Sequence, residues 1–129
     1  GATTPYAYYR LASLTWQPNA PRDVLEAVDK QLTEAVRLNT RYAEAYAWLG
    51  EIRVALGNAE GLGMVRRAIA LEPREARHRL RAASVLMSQR KPAEARIEAQ
   101  TALALAADDE ERGRATELLA RISRSEGGK

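Results

Sequence analysis

The most constraining feature of this sequence is a short pattern that returns at a nearly constant interval. Ala35, Ala68 and Ala102 stand 33 and then 34 residues apart, and each is followed by an aliphatic residue and, three positions on, by leucine. A period of this length indicates repeated supersecondary units, which bury their apolar faces by stacking on their neighbours. The chain is therefore expected to fold as an array of similar units.

Apolar residues recur at helical spacing along the chain, and alternation with period two is nowhere sustained. The clearest stripe consists of Tyr42, Ala45, Tyr46, Leu49, Ile52 and Leu56. Residues three and four apart share one face of an α-helix, so this stripe predicts an amphipathic helix. The pattern and its interruptions predict an all-α chain with seven helices, at 4–16, 21–38, 42–56, 58–71, 74–89, 92–106 and 109–123.

Residues that favour helix ends support these boundaries. Pro92 is expected in a first turn, where its missing N–H costs nothing, and Gly57 is expected to end a helix in the left-handed conformation. Asn58 is a suitable cap for the helix that follows. The acidic run 108–111 is interpreted as a cap and dipole partner in preference to a cation site. The tail 125–129 is expected to fray.

The composition excludes several classes of protein. The chain has 25 alanines, no cysteine and no phenylalanine, which argues against β-sandwiches, disulfide scaffolds and thiol-bound metal sites. All seven aromatic residues precede residue 49. Because the C-terminal part has only small and aliphatic side chains to pack, we predict weaker hydrogen-exchange protection over 92–123 than over 42–56.

The charge pattern argues against nucleic acid and membrane partners. The 17 arginines and 3 lysines are interleaved with 17 acidic residues, giving a formal net charge of +3. No block of positive charge and no aromatic stacking platform is present for nucleic acid, and no run approaches the roughly 18 uncharged apolar residues of a membrane span. The arginine bias is typical of a GC-rich bacterial genome. The absence of cysteine is compatible with either the cytoplasm or the periplasm.

The middle unit matches a known repeat signature at several positions. They are Tyr46, Leu49, Gly50, Gly57, Ala68 and Pro73. Through these residues the unit resembles the tetratricopeptide repeat, a helix–turn–helix unit of about 34 residues. Gly61 stands where the family has alanine. Gly61 and Gly63 are each expected to cost about 1 kcal/mol relative to alanine, which makes the first turn of their helix its weakest part.

The resemblance extends over most of the chain. The first unit has Tyr8, Leu11 and Ala12 at first-helix positions, and the third unit has Ala82-Ala83 in place of Leu-Gly. The resemblance implies a right-handed superhelix of antiparallel helix pairs. It implies a single domain over 1–129, with repeats at about 5–42, 43–75 and 76–109 and a capping helix at about 109–123.

Residue types that carry catalysis are scarce. His78 is the only histidine, and between two arginines it is interpreted as a solvated helix residue and not as a general base. The glycines within 57–63 lack the Lys-Ser/Thr of a phosphate-binding loop. Glu94 and Glu98 are interpreted as exposed neighbours on one helix. We therefore predict that the protein is not an enzyme and has no catalytic residues, cofactor or metal.

The resemblance also implies a binding surface. In such arrays the first helix of each pair lines a concave groove, which suits an extended peptide or a helix of a partner protein. The groove positions are Tyr9, Ser13, Glu44, Ala47, Glu51, Val54, Arg77, Leu80, Arg81, Ser84 and Met87. The implied function is a protein–protein interaction scaffold or adaptor that forms part of a larger protein.

Arg77 and Arg81 have a more specific possible role. Four positions apart, they share a helix face and match the basic pair with which carboxylate-clamp members of the family hold a partner's C-terminal carboxylate. Another clamp position differs, because Trp48 stands where an asparagine is needed. The alternative is that the two arginines pair with acidic residues of neighbouring helices, namely Glu44, Glu51 or Glu72.

Two further questions stay open from the sequence. Trp48 is either an exposed binding anchor or, as we favour, a side chain packed under the connection at 16–21. The chain as a whole has two alternative functions. It could position or regulate a catalytic domain of its own larger protein, or it could self-associate through its aromatic N-terminal helix.

Overall fold

The described parts of the chain, residues 4–15 and 20–127 of a computed structural model, form seven α-helices and no strand. The helices are α1 (Pro5–Thr15), α2 (Arg22–Leu38), α3 (Ala43–Ala55), α4 (Gly61–Leu71), α5 (Ala76–Ser88), α6 (Pro92–Leu105) and α7 (Asp109–Gly127). The predicted all-α class is thus confirmed. The chain divides into two compact units, Gly1–Leu71 with α1 to α4 and Glu72–Lys129 with α5 to α7.

The turn between α3 and α4 differs from the prediction at one end. Gly57 has a φ of +97°, the left-handed conformation predicted for it. Asn58 Oδ1 accepts the Glu60 N–H at 3.0 Å, two residues on, and closes the turn that leads into α4. The α4 helix consequently begins at Gly61, three residues later than the predicted 58.

The first unit buries its core among four helices that pack in sequence, α1 on α2, α2 on α3 and α3 on α4. Leu32, Leu49 and Ile52 are among its largest fully buried side chains. Trp48 and Tyr46 belong to the same cluster. Aromatic and aliphatic side chains therefore fill this core together.

A pair of glycines allows α3 and α4 to pack closely. A Cβ added to Gly61 would lie 2.9 Å from Cγ2 of Val54 and would also meet the Gly50 carbonyl oxygen. A Cβ added to Gly50 would lie 2.7 Å from Cγ2 of Val65. Gly61 is therefore not only a cost to helix propensity, as the sequence suggested, because the contact between the two helices requires it.

Arg53 of α3 connects three helices of the first unit. Its Nε donates to Asp29 Oδ2 at 3.1 Å and its Nη2 donates to Thr33 Oγ1 at 3.1 Å, both on α2. Its Nη1 lies 3.6 Å from Met64 Sδ on α4. Because the Arg53 and Asp29 side chains are only 27% and 21% exposed, salt screens this ion pair less than it would a fully exposed pair.

The second unit packs α5, α6 and α7 against one another through small side chains. Ala95, Ala99 and Ala102 of α6 are completely buried and form a stripe of small residues along that helix. Leu86 and Ile122 are among the largest side chains that are fully buried here. The described core of this unit contains no aromatic ring other than the imidazole of His78.

His78 is buried, with 1% of its surface exposed, so the prediction of a solvated residue is wrong. Its Nε2 lies 2.7 Å from Glu72 Oε1, and because an ionised carboxylate only accepts hydrogen bonds, Nε2 carries the proton. The α5 helix also buries Ala82 and Val85 on the same side. Flanking arginines concealed this placement, since adjacent residues occupy different faces of a helix.

Glu98 also differs from its prediction. Arg79 Nη1 donates to Glu98 Oε1 at 3.0 Å, and the two side chains are only 23% and 16% exposed. The interpretation of Glu98 as an exposed neighbour of Glu94 is therefore wrong. Glu98 instead holds α6 to α5.

The α7 helix continues through Gly127, so the expected fraying is wrong for residues 125–127, while residues 128 and 129 lie outside the described part. Arg96 of α6 forms an ion pair with Glu126 that holds the last turn of α7. At the other end, Asp108 Oδ1 accepts the Glu111 N–H at 2.8 Å, and Glu111 Oε1 accepts the Ala107 N–H at 2.9 Å. This reciprocal arrangement is the capping role predicted for the acidic run.

Candidate functional site

An open depression lies between α5 and α7 in the second unit, with a volume of about 180 Å³. Its lining residues are Leu80 and Ser84 of α5 and Arg114, Glu117, Leu118 and Arg121 of α7. We call these six residues the α5–α7 surface. Leu80 and Leu118 are buried at 2% and 6% exposure, whereas the four polar residues are exposed. The surface therefore combines an apolar floor with a charged rim.

Helical periodicity places these side chains together. Leu80 and Ser84 are four residues apart, so they share one face of α5. Arg114, Glu117, Leu118 and Arg121 follow the i, i+3, i+4, i+7 spacing and form one stripe along α7. Each helix thus presents a continuous row of side chains to the depression.

A second depression adjoins the first at Arg114, which lines both. Its other lining residues are Glu75, Arg77, Asp108, Glu110 and Glu111. Arg77 Nε donates to Glu75 Oε1 at 2.7 Å, and this hydrogen bond holds the pKa of Glu75 below its ordinary value against the opposing effect of burial. Asp108, Glu110 and Glu111 make the N-terminal end of α7 acidic, whereas Arg114 and Arg121 lie in the middle of the helix.

Arg114 and Arg121 differ from other arginines of the second unit. Arg79 and Arg96 form ion pairs with Glu98 and Glu126, respectively. Among the described residues, neither Arg114 nor Arg121 has an ion pair or a side-chain hydrogen bond. Both guanidinium groups are consequently available to a ligand at the rim of the depression.

The predicted groove residues of the first unit lie in varied surroundings. Ala47 is completely buried, and Tyr9 is half-buried against the rings of Tyr42 and Trp48 at centroid distances of 5.4 and 5.5 Å. The Ser13 hydroxyl donates to the Arg10 carbonyl at 2.8 Å. The remaining three, Glu44, Glu51 and Val54, are partly exposed.

The predicted groove residues of the second unit all lie on α5. Leu80 and Ser84 line the α5–α7 surface, and Arg77 lines the adjoining depression. Arg81 is partly buried, and Met87 lines a further depression near the end of α7. The α7 residues that face them were missed by sequence reasoning, which assigned that helix only a capping role. Their regular spacing was the available signal.

The structure bears on two questions that the sequence left open, the packing of Trp48 and the partner of Arg77. Trp48 is 5% exposed and meets the Tyr9 ring edge-on, so it is a packed side chain and not an exposed anchor. Residues 16–19 of the connection predicted to cover it lie outside the described residues. Arg77 is paired with Glu75, which is not one of the three acidic partners predicted for it. Glu72, one of the predicted partners, instead accepts from His78.

Two further observations concern the chemistry of the described residues. No group of three or more His, Cys, Asp or Glu side chains among them is placed to hold a metal ion. In the same part of the chain, no helix combines the length and the apolar character needed to cross a bilayer.

Comparisons with known proteins give matches only at the level of structure. No protein-family model matches the sequence, and no curated protein sequence matches it significantly. The Yersinia enterocolitica type III secretion chaperone SycD, solved with a peptide of the translocator YopD, is 21% identical with a TM-score of 0.76 over 94% of this chain and 93% of that chain.

Two other similar structures come from different sources. A tetratricopeptide-repeat protein of Thermus thermophilus is 26% identical, with a TM-score of 0.68 over 90% of this chain and 60% of that chain. The first tetratricopeptide domain of Spaghetti (RPAP3), bound to an HSP90 peptide, is 14% identical, with a TM-score of 0.78 over 98% of this chain and 99% of that chain. Each of these three similarities covers at least 90% of this chain.

Proposed function

The chain has the fold of the tetratricopeptide-repeat proteins, and from this we propose that it is an interaction module that binds a peptide segment of a partner protein. The α5–α7 surface is the observation that carries the proposal. Its floor of Leu80 and Leu118 can cover an apolar side chain, and its exposed polar rim can orient a peptide backbone. Small binding sites commonly combine these two features.

Complexes of similar proteins support the same function. SycD was solved with a peptide of YopD, and the Spaghetti domain was solved with a peptide of HSP90. Both proteins share this fold at low sequence identity, so the partner is expected to differ. On the second unit of this chain we assign the contact to α5 residues Arg77, Leu80, Arg81, Ser84 and Met87 and to the facing α7 stripe.

The proposed module performs no chemistry of its own. The similar structures are chaperones and repeat domains. Peptide binding in a helical array needs only shape, apolar contact and hydrogen bonding. The alternative of a module that regulates a catalytic domain uses the same surface with a segment of its own protein as the ligand.

Self-association is a second candidate function. On α1, the Tyr6 and Leu11 side chains are 62% and 47% exposed, which is high for large apolar residues. Replacing both with serine is expected to abolish any dimer of the full chain in analytical ultracentrifugation. A chain that is monomeric at all accessible concentrations would contradict this candidate.

The peptide-binding function is tested by selecting random short peptides displayed on phage against the immobilised full chain. We expect saturable binders that increase hydrogen-exchange protection over α5 and α7. Ser84→Tyr fills the depression with a bulky side chain at an exposed position and should remove binding. The matched control is Ser123→Tyr, since Ser123 is exposed on α7 and does not line the depression.

Circular dichroism of both variants establishes that they remain folded. Recovery of no saturable binder, or of binders that Ser84→Tyr and Ser123→Tyr affect equally, would contradict the proposed function.

A further inference from the structure

The α5–α7 surface carries more positive than negative charge at its rim. Arg114 and Arg121 contribute two positive charges and Glu117 contributes one negative charge. Neither arginine forms an ion pair with an acidic side chain among the described residues, in contrast to Arg79 with Glu98. A guanidinium presents a planar set of donors that suits a carboxylate. The rim is therefore complementary to an anionic ligand.

The spacing of the two arginines constrains the ligand. Residues seven apart on a helix are about 10.5 Å apart along its axis. A peptide in the polyproline II conformation advances about 3.1 Å per residue and returns to the same face every third residue, at about 9 Å. Two acidic residues three positions apart in such a peptide can therefore reach Arg114 and Arg121 together.

The floor adds an apolar requirement. Leu118 lies between the two arginines on α7, and Leu80 faces it from α5. Only small parts of the two side chains are exposed, so the depression offers a shallow contact and not a deep cavity. In a polyproline II peptide the residues between the two acidic residues project from the neighbouring edges, about 120° away, and an aliphatic side chain on the edge that faces α5 can rest on this floor.

The charges around the surface favour a peptide over a nucleic acid. Glu117 lies within the depression, and Glu75, Asp108, Glu110 and Glu111 line the adjoining one. A nucleic acid carries a negative charge at every phosphate and would meet these carboxylates. A peptide can place its acidic residues opposite the arginines only.

We propose that the α5–α7 surface binds an extended acidic peptide segment of the partner, with two carboxylates on Arg114 and Arg121 and an aliphatic side chain on Leu80 and Leu118. The inference rests on the proposed function, since it names the class of peptide that the same surface takes. It assigns the specificity to α7, a helix for which sequence reasoning predicted only a capping role.

The experiment compares peptides selected on the full chain with the unselected library. Binders are expected to be enriched in Asp and Glu, with pairs three positions apart. The most enriched peptide, labelled with fluorescein, is then titrated by anisotropy. The double variant Arg114→Gln, Arg121→Gln should weaken binding about fivefold at low salt, and raising the salt concentration should reduce this difference.

A matched control removes the same charge elsewhere in the second unit. Arg74 and Arg124 are exposed and do not line the depression, so Arg74→Gln, Arg124→Gln has the same net charge as the test variant. This control is expected to bind like the unaltered chain. Equal weakening in the two double variants would overturn the proposal, because net charge and not the surface would then determine binding.

The remaining outcomes separate the two proposals. Binders without acidic enrichment, or binders unaffected by Arg114→Gln, Arg121→Gln, overturn the acidic specificity and leave peptide binding intact. Competition by single-stranded oligothymidylate as effective as competition by the unlabelled peptide also overturns it, since any polyanion would then suffice. Recovery of no saturable binder overturns both proposals.

Discussion

The surroundings of Tyr42 in the first unit oppose its ionisation. Its ring is half-buried, at a centroid distance of 5.4 Å from the ring of Tyr9. Burial, with smaller contributions from the nearby Tyr9 and Glu44, raises the pKa of Tyr42 from 10.0 to about 12. The neutral phenol is therefore favoured in the folded state.

This shift predicts a loss of stability at alkaline pH. Well below pH 10 the phenol is neutral in both states, and the free energy of unfolding does not depend on its pKa shift. Between pH 10 and about 12 the unfolded state releases the proton while the folded state largely keeps it, so the free energy of unfolding decreases. The urea midpoint should therefore fall across this interval, and Tyr42→Phe should reduce the fall. Tyr6→Phe is the matched control, because Tyr6 is 62% exposed. Equal alkaline behaviour of the two variants would contradict the assignment.

Single residues also mark the limit of sequence reasoning. The left-handed conformation of Gly57 was predictable, because it depends on the local turn alone. The burial of His78 was not, since it depends on how α5 faces the other helices of its unit. A polar residue flanked by arginines gives no local sign that its own face is covered.

At the scale of helices, the pair α3 and α4 depends on the absence of two side chains. Gly61→Ala is expected to destabilise the protein by about 2 kcal/mol, because the added Cβ would clash with backbone atoms of α3. Gly63→Ala should instead stabilise it by about 0.5–1 kcal/mol, since an added Cβ there has no atom within 4 Å apart from the adjacent backbone of its own helix. Urea denaturation measures both changes, and a stabilising Gly61→Ala would refute the close contact.

Helix positions were largely predictable from the sequence, and some helix ends were not. The interior stripes of α3 and α6 follow from residue spacing, which is a local property. The end of α7 was placed too early because Glu126 is held by Arg96, a residue 30 positions away in the chain. A sequence pattern at 123–127 contains no sign of that partner.

At the scale of the whole molecule, the two units differ in what fills them. The first unit buries Tyr46 and Trp48 beside large aliphatic residues, whereas the second relies on alanines with a few leucine, valine and isoleucine side chains. Because burial of large apolar side chains contributes most to stability, local opening should be easier in the second unit.

Hydrogen exchange measured by mass spectrometry tests this difference. Amides over 92–123 should exchange faster than those over 42–56 under native conditions. The comparison is made on the unaltered full chain, with exchange rates corrected for the intrinsic rate of each sequence. Equal protection of the two regions would show that aromatic content does not determine the order of opening.

The candidate site was predictable in part. Resemblance to the repeat family indicated the exposed face of α5, including Ser84 and Arg77, because first-helix positions recur with the period. It did not indicate Arg114 and Arg121, since the family signature lies outside the closing helix. Whether a charged side chain is paired or available is a property of the folded neighbourhood.

The sequence by itself therefore determined the all-α class, the repeat period and the positions of the helices, because each depends on residue spacing within one segment. Tertiary structure alone decided that His78 is buried, that Gly61 is required at a helix contact, and that α7 contributes two unpaired arginines to a surface shared with α5. These features depend on atoms from distant segments, whose approach is governed by packing and not by local periodicity.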